Sequence, residues 1–168
     1  MTQIYILCVD DEPDVLQALA RDLASLEDTF PIETAASAEE GRKIVDEIGG
    51  KKDACLGLIF CDHVMPGQSG VDFLIELAQQ PATSRTQKVL FTGQADLEDT
   101  IKAVNQASIH YYVAKPWQKE SLLSVTRTLL TDFVLEKGID PLPYMAILDS
   151  GRLAEAIHER NRLDDRGE

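Results

Sequence analysis

Residues that could do chemistry follow four apolar runs of this chain, at the points where the runs end. They are Asp10 and Asp11, Asp62, Thr92, and Lys115. In an open parallel sheet, ligands bind beyond the carboxyl ends of the strands, so three carboxylates, a hydroxyl and an ammonium group would meet at one edge. Each residue alone has a plainer interpretation as a helix cap, a turn residue or a surface lysine. Their joint occurrence at four strand ends favours a site.

The chemistry of this edge points to a hard cation and a phosphoryl group. Three neighbouring carboxylates raise one another's proton affinity unless a cation is present, and an all-oxygen site suits Mg²⁺. The acids after the first strand would repel the phosphate of a preformed flavin or nucleotide. Asp62 could instead attack a phosphoryl group in line, while Mg²⁺, Lys115 and Thr92 contact its oxygens. Cys8 and Cys61 are interpreted as strand core, and His63 as a solvent-facing loop residue.

The elements that must position these residues alternate between strand and helix patterns. Apolar runs predict strands over residues 4–9, 31–35, 56–61, 88–92 and 111–114. Helical spacing predicts helices that begin at Pro13, after the capping box 37–40, after the turn 65–67, near Asp96, and through residues 122–133. Five strands alternating with five helices predict a doubly wound α/β domain, with a parallel sheet covered on both faces.

Composition limits the partners and the number of domains. The 168 residues carry 16 Lys and Arg against 29 Asp and Glu, a net charge of −13, which disfavours direct binding to nucleic acids and anionic membranes. We expect one domain over residues 1–137 and a C-terminal tail over 138–168, with a short helix near 151–162 that could support a homodimer. Three cysteines without disulfide or metal spacing, and no membrane-length apolar segment, favour a cytoplasmic location.

Taken together, these motifs resemble the receiver domain of the response regulators of two-component signalling, over about residues 3–135. The resemblance rests on Val-Asp-Asp-Glu-Pro at 9–13, Asp-His-Val-Met-Pro-Gly at 62–67, Thr92-Gly93 and Lys115-Pro116. It implies a flavodoxin-like (βα)5 fold with strand order 2-1-3-4-5. The Lys-Pro-Trp form, with Trp117 as a packing anchor for the fifth helix, is similar to receivers in larger regulators, some joined to cyclic-dinucleotide phosphodiesterases.

The resemblance also implies roles for the residues at the strand ends. Asp62 would be the phosphoryl acceptor, and Thr92 and Lys115 would contact the phosphoryl group. Mg²⁺ would be held by the side chains of Asp11 and Asp62 and by the backbone carbonyl of Val64, with Asp10 acting through water.

The partners that the resemblance implies are proteins. A sensor histidine kinase or a phosphotransfer protein would donate the phosphoryl group. A downstream effector protein would bind the face formed by the fourth helix, the fifth strand and the fifth helix, which changes shape when Tyr112, the switch aromatic, moves. Such a receiver promotes only its own phosphorylation and dephosphorylation.

Three alternatives stay open at this stage. A Mg²⁺-dependent phosphatase also uses an aspartyl nucleophile, but its usual pattern has a second Asp two residues later, where this chain has Val64. The chain could be an interaction-only receiver that is never phosphorylated. It could also be the receiver fragment of a larger multidomain regulator.

Overall fold

A five-stranded parallel sheet forms the centre of the computed structural model, which describes residues 1–93 and 103–167. The strands are β1 (Gln3–Val9), β2 (Ile32–Ala35), β3 (Ala54–Asp62), β4 (Gln87–Thr92) and β5 (Tyr111–Ala114). Their spatial order is β2-β1-β3-β4-β5, and every neighbouring pair is parallel. The predicted fold class and strand order are therefore confirmed.

Helices connect the strands and cover both faces of the sheet. They are α1 (Pro13–Leu23), α2 (Ala38–Gly49), α3 (Gly70–Gln79), α4 (Lys119–Lys137) and α5 (Ser150–Asp164), with a π-helical segment at Ala103–Ala107 and 3-10 turns at Ala24–Leu26 and Leu142–Tyr144. The fifth helix of the sequence prediction is α4, whereas most of the predicted fourth helix lies outside the described residues. Within residues 1–93 and 103–167, no helix has both the length and the apolar run that a membrane crossing requires.

Alternation along β1 shows why the sheet is covered on both sides. Ile4, Ile6 and Cys8 belong to one buried cluster, and the intervening Tyr5, Leu7 and Val9 belong to another. The first cluster lies under α1 and α4, and the second lies under α2 and α3. Because successive strand side chains point to opposite faces, an almost unbroken apolar run is the pattern of a strand buried on both.

The chain after α4 packs against the first of these clusters. Gly138, at φ 68°, ends α4 in the left-handed conformation that glycine adopts without strain. Tyr144 is completely buried, its ring stacks on Phe30 with centroids 5.5 Å apart, and its hydroxyl donates to the Thr2 carbonyl at 2.6 Å. Leu153 of α5 is also completely buried in this cluster.

Candidate functional site

Three carboxylates meet at the carboxyl ends of β1 and β3. The two strands are paired up to Val9 and Cys61, so Asp10, Asp11 and Asp62 come next to one another. Each offers an oxygen within 4.8 Å of the other two. Asp10 is completely buried, Asp62 is 8% exposed, and Asp11 is open to solvent. The strand-end acids therefore form the cluster that the sequence predicted.

The loop after β3 folds back tightly on Asp62 because a glycine faces it. The amide of Gly70 donates to the His63 carbonyl at 3.0 Å. A Cβ at residue 70 would lie 1.8 Å from the Asp62 carbonyl oxygen, which is an impossible contact. Glycine is therefore required there, and its close approach fixes the backbone that carries the acid.

Lys115 joins two of the acids. Its ammonium nitrogen lies 2.7 Å from Asp10 Oδ2 and 3.0 Å from Asp62 Oδ1, while its backbone amide donates to the Thr92 carbonyl at 3.2 Å. Burial disfavours the ammonium ion, but the hydrogen bonds to Asp10 and Asp62 outweigh that cost and keep the pKa of Lys115 above its ordinary value. Lys115 is therefore an ion-paired residue of the site and not a solvated surface lysine.

The carboxylates of this cluster carry negative charge that a divalent cation could neutralise. Burial raises the pKa of Asp62, and the neighbouring carboxylates of Asp10 and Asp11 add to the rise, while Lys115 opposes it. Three carboxylates with one ammonium leave two negative charges, which Mg²⁺ would neutralise. A cavity of about 310 Å³ opens beside the acids, and Val64, Gly93 and Lys115 are among the residues that line it.

The other predicted site residues lie at or near this edge. Thr92 is the last residue of β4 and pairs with Ala114 of β5. Val64 is 72% exposed and lines the cavity beside the acids. Tyr112 is half-buried on β5; burial raises the pKa of its hydroxyl, for which the described residues provide no hydrogen-bond partner.

Interpretations of the residues flanking the acids are partly corrected. Cys8 and Cys61 are completely buried, and burial raises the pKa of both thiols, so they are strand core as predicted. The prediction that His63 faces solvent was wrong, since it is 6% exposed. Its backbone amide donates to the Phe91 carbonyl at 3.2 Å, which extends the pairing of β3 with β4 by one residue and draws His63 inward.

Sequence reasoning missed a support behind Lys115. The ring of Phe91 lies 6.0 Å from the Lys115 ammonium and 5.1 Å from the Trp117 ring, and the Trp117 indole donates to Asp22 Oδ2 of α1 at 2.9 Å. A strand, a loop and a helix thus meet behind the lysine. Asp22 and Trp117 are 95 positions apart, and no pattern in the sequence links them.

Comparisons with known proteins agree on one family. The family model described as response regulator receiver domain matches residues 6–127. Chemotaxis protein CheY of Halobacterium salinarum is 29% identical over 126 residues, which cover 75% of this chain and 96% of CheY. The signal receiver domain of an HD domain-containing protein from Pseudomonas fluorescens has a TM-score of 0.71 at 26% identity, covering 83% of this chain and 95% of that domain.

Longer proteins match as well. The hydrogenase transcriptional regulatory protein HoxA of Cupriavidus necator is 34% identical over 125 residues, which cover 74% of this chain and 24% of HoxA. HoxA of Bradyrhizobium diazoefficiens matches over 29% of its length. The chain therefore spans about a quarter of the length of the two HoxA proteins.

Proposed function

The chain belongs to the family of response regulator receiver domains, and from that premise we propose that it is a phosphorylation-dependent signalling switch with Asp62 as its phosphoryl acceptor. The observation that carries the proposal is the contact of Lys115 with both Asp10 and Asp62, beside a third carboxylate and an open cavity. A lysine held against two acids can follow a phosphoryl group that arrives on one of them, because the new oxygens carry more negative charge.

The proposed reaction transfers a phosphoryl group from a phosphohistidine of the partner protein. A carboxylate oxygen of Asp62 attacks phosphorus, the new O–P bond forms, and the N–P bond breaks, with its electron pair leaving on the imidazole. Lys115 then stabilises the phosphoryl oxygens, and the Thr92 hydroxyl donates a hydrogen bond to one of them. The donor is a sensor histidine kinase or a phosphotransfer protein.

The acid cluster fits Mg²⁺ by its charge and by its oxygen donors. The side chains of Asp11 and Asp62 and the carbonyl of Val64 would hold the ion, with Asp10 acting through water. Mg²⁺ would supply charge neutralisation for the transferred phosphoryl oxygens. The clustered residues Asp10, Asp11 and Asp62 offer only carboxylate oxygens, so a softer metal is a poorer match for them.

The signal would leave the site through β5. Movement of Thr92 toward the phosphoryl group opens space that Tyr112 can fill, and the face that includes β5 and α4 changes shape. An effector protein reads this face, since the net charge of −13 disfavours direct contact with nucleic acid. We place the switch in the cytoplasm, either alone or as the receiver part of a longer regulator.

Intact-mass spectrometry tests the acceptor. Protein treated with Mg²⁺ and acetyl phosphate should gain the mass of one phosphoryl group, and the Asp62→Asn variant should gain none. Asp53→Asn, which changes an aspartate at the opposite edge of the sheet, is the matched control and should gain the adduct normally. Absence of any adduct in the wild type would refute the proposal.

Turnover separates the switch from the phosphatase alternative. A receiver should consume only the donors that phosphorylate it, with no sustained hydrolysis of p-nitrophenyl phosphate. Many turnovers of that ester, lost in Asp62→Asn, would favour a phosphatase instead. The exposed valine at position 64 argues against that outcome, because its side chain cannot act as a general acid.

A further inference from the structure

The loop that carries Lys115 is fastened to α1 by one side-chain hydrogen bond. The indole nitrogen of Trp117 donates to Asp22 Oδ2 at 2.9 Å, and the Asp22 side chain is 15% exposed. Asp22 also has an ion pair with Arg21 at 3.7 Å, but the Arg21 side chain is 77% exposed. An exposed ion pair contributes little, so the indole is the partner that matters for the Asp22 carboxylate.

Trp117 contacts the site through Phe91. The Trp117 and Phe91 rings are 5.1 Å apart and tilted by 44°, and the Lys115 ammonium lies 6.0 Å from the centre of the same Phe91 ring. Phe91 also stacks on Phe60, which is completely buried, so the ring cannot move without disturbing the core. The lysine is thus bounded by a rigid aromatic surface behind it and by two carboxylates ahead of it.

We infer that Trp117 is a positioning residue for Lys115 and that Asp22 is the anchor that keeps it in place. This inference rests on the proposed function, in which Lys115 contacts the phosphoryl group. Lysine has a flexible four-carbon side chain, so its ammonium reaches a chosen point only when its backbone is fixed. The backbone amide of Lys115 holds one end of the loop by its hydrogen bond to the Thr92 carbonyl. Two residues later, the indole of Trp117 holds the other end by its hydrogen bond to Asp22.

Trp117 also lies at the border of the proposed signalling face. It lines a groove of about 200 Å³ between β5 and α4, together with Tyr112 and Leu122. The ring that supports the lysine therefore also forms part of the surface that would change.

Variants that keep or remove the hydrogen-bond acceptor test the inference. Asp22→Asn retains an oxygen that accepts from the indole, Asp22→Leu removes it, and Trp117→Phe keeps an aromatic ring on Phe91 but loses the donor. Arg21→Ala is the matched control, because it removes the other partner of Asp22. For each protein, the dissociation constants of Mg²⁺ alone and of beryllofluoride at saturating Mg²⁺ are measured, together with the free energy of unfolding.

Asp22→Leu and Trp117→Phe should weaken beryllofluoride binding by about tenfold, the loss expected when a charged hydrogen bond is misplaced. Mg²⁺ binding should not weaken, because its expected ligands are the acids. Asp22→Asn and Arg21→Ala should bind Mg²⁺ and beryllofluoride with the same affinities as the wild type. Reduced stability with unchanged beryllofluoride affinity would overturn the inference, since that result describes packing alone.

A second measurement needs no phosphoryl mimic. In the Mg²⁺-free protein, the amide resonances of Lys115 and Asp10 should shift in Asp22→Leu and remain in place in Asp22→Asn. If the wild type binds no beryllofluoride, the proposed function fails, and these shifts still decide whether Trp117 and Asp22 position the lysine. Unshifted resonances in Asp22→Leu would refute the positioning role.

Discussion

Two lysines at opposite edges of the same sheet are held in contrasting ways. Lys115, at the carboxyl end of β5, is 21% exposed and meets two carboxylates. Lys88, near the amino end of β4, is completely buried, and its ammonium donates to the carbonyls of Thr86 at 2.8 Å and Thr83 at 3.3 Å. Hydrogen bonds to carboxylates hold the pKa of Lys115 above its ordinary value, whereas burial lowers the pKa of Lys88 to about 8.

The difference between the two lysines shows at which edge of the sheet a charged group can take part in ligand binding. At the carboxyl edge, acids and an adjoining cavity surround the ammonium group, so a ligand can rearrange the charges. At the amino edge, the turn 81–86 encloses the ammonium group, and the residues after α4 pack near the start of β1. Changes at the amino edge should therefore alter stability, and changes at the carboxyl edge should alter ligand binding.

The largest expected effect on stability comes from the chain after α4. Tyr144→Ala removes a completely buried ring that stacks on Phe30, and it should lower the free energy of unfolding by about 4 kcal/mol. Urea denaturation measures the change. Mg²⁺ affinity, measured on the folded variant, should stay within about twofold of the wild type because the acids are unaffected. A loss below about 1 kcal/mol would mean that residues 138–168 are a tail apart from the core, as the division at residue 137 assumes.

Lys88 should make the free energy of unfolding depend on pH, and this change should be nearly as large as the loss expected for Tyr144→Ala. Its folded-state pKa of about 8 lies below the ordinary value of 10.5, so the unfolded chain binds more protons between these values. Wild-type stability should rise by about 3 kcal/mol relative to Lys88→Met as pH increases through that window, because the buried charge is lost.

Urea denaturation of both proteins between pH 7 and pH 11 measures this slope. Lys119→Met is the matched control, because Lys119 is exposed at the start of α4 and should leave the pH dependence of the wild type unchanged. A constant difference between the wild type and Lys88→Met across this range would show that Lys88 is not destabilised by its burial.

Lys115 should affect the ligand more than the fold. Lys115→Met removes the ammonium group that contacts Asp10 and Asp62 and should weaken beryllofluoride binding by about a hundredfold. Mg²⁺ alone should bind more tightly, since a competing positive charge is gone. Isothermal titration calorimetry measures both constants, and Lys88→Met should leave both within about twofold. If Lys115→Met and Lys88→Met weakened beryllofluoride binding equally, the two edges of the sheet would not differ in their effect on ligand binding.

Sequence patterns predicted the sheet and the acid cluster because both depend on local order. Apolar runs that end in Asp10 and Asp62 mark strand ends, and parallel topology then brings those ends together. The same topology placed Lys115 beside them and Thr92 next to Lys115. Their roles as phosphoryl contacts stay predictions, which the beryllofluoride measurements address.

Features that depend on side-chain packing could not be predicted. Lys88 is the second residue of the mostly apolar strand β4, and nothing near it in sequence shows that carbonyls of the preceding turn will contact its ammonium group. Asp22 and Trp117 are linked only through the folded core. Tyr144 follows two prolines that interrupt the alternating pattern, so its stacking on Phe30 has no periodic signal.

The smallest predicted effect separates the two contacts of Tyr144. Tyr144→Phe keeps the ring on Phe30 and removes the hydroxyl that donates to the Thr2 carbonyl at 2.6 Å. Thr2 is only half-buried, so water can replace the lost donor, and the free energy of unfolding should fall by about 1 kcal/mol or less. Urea denaturation of Tyr144→Phe and Tyr144→Ala under the same conditions compares their losses of unfolding free energy. A loss as large as that of Tyr144→Ala would mean that the hydroxyl, and not the buried ring, holds the last residues against the amino edge.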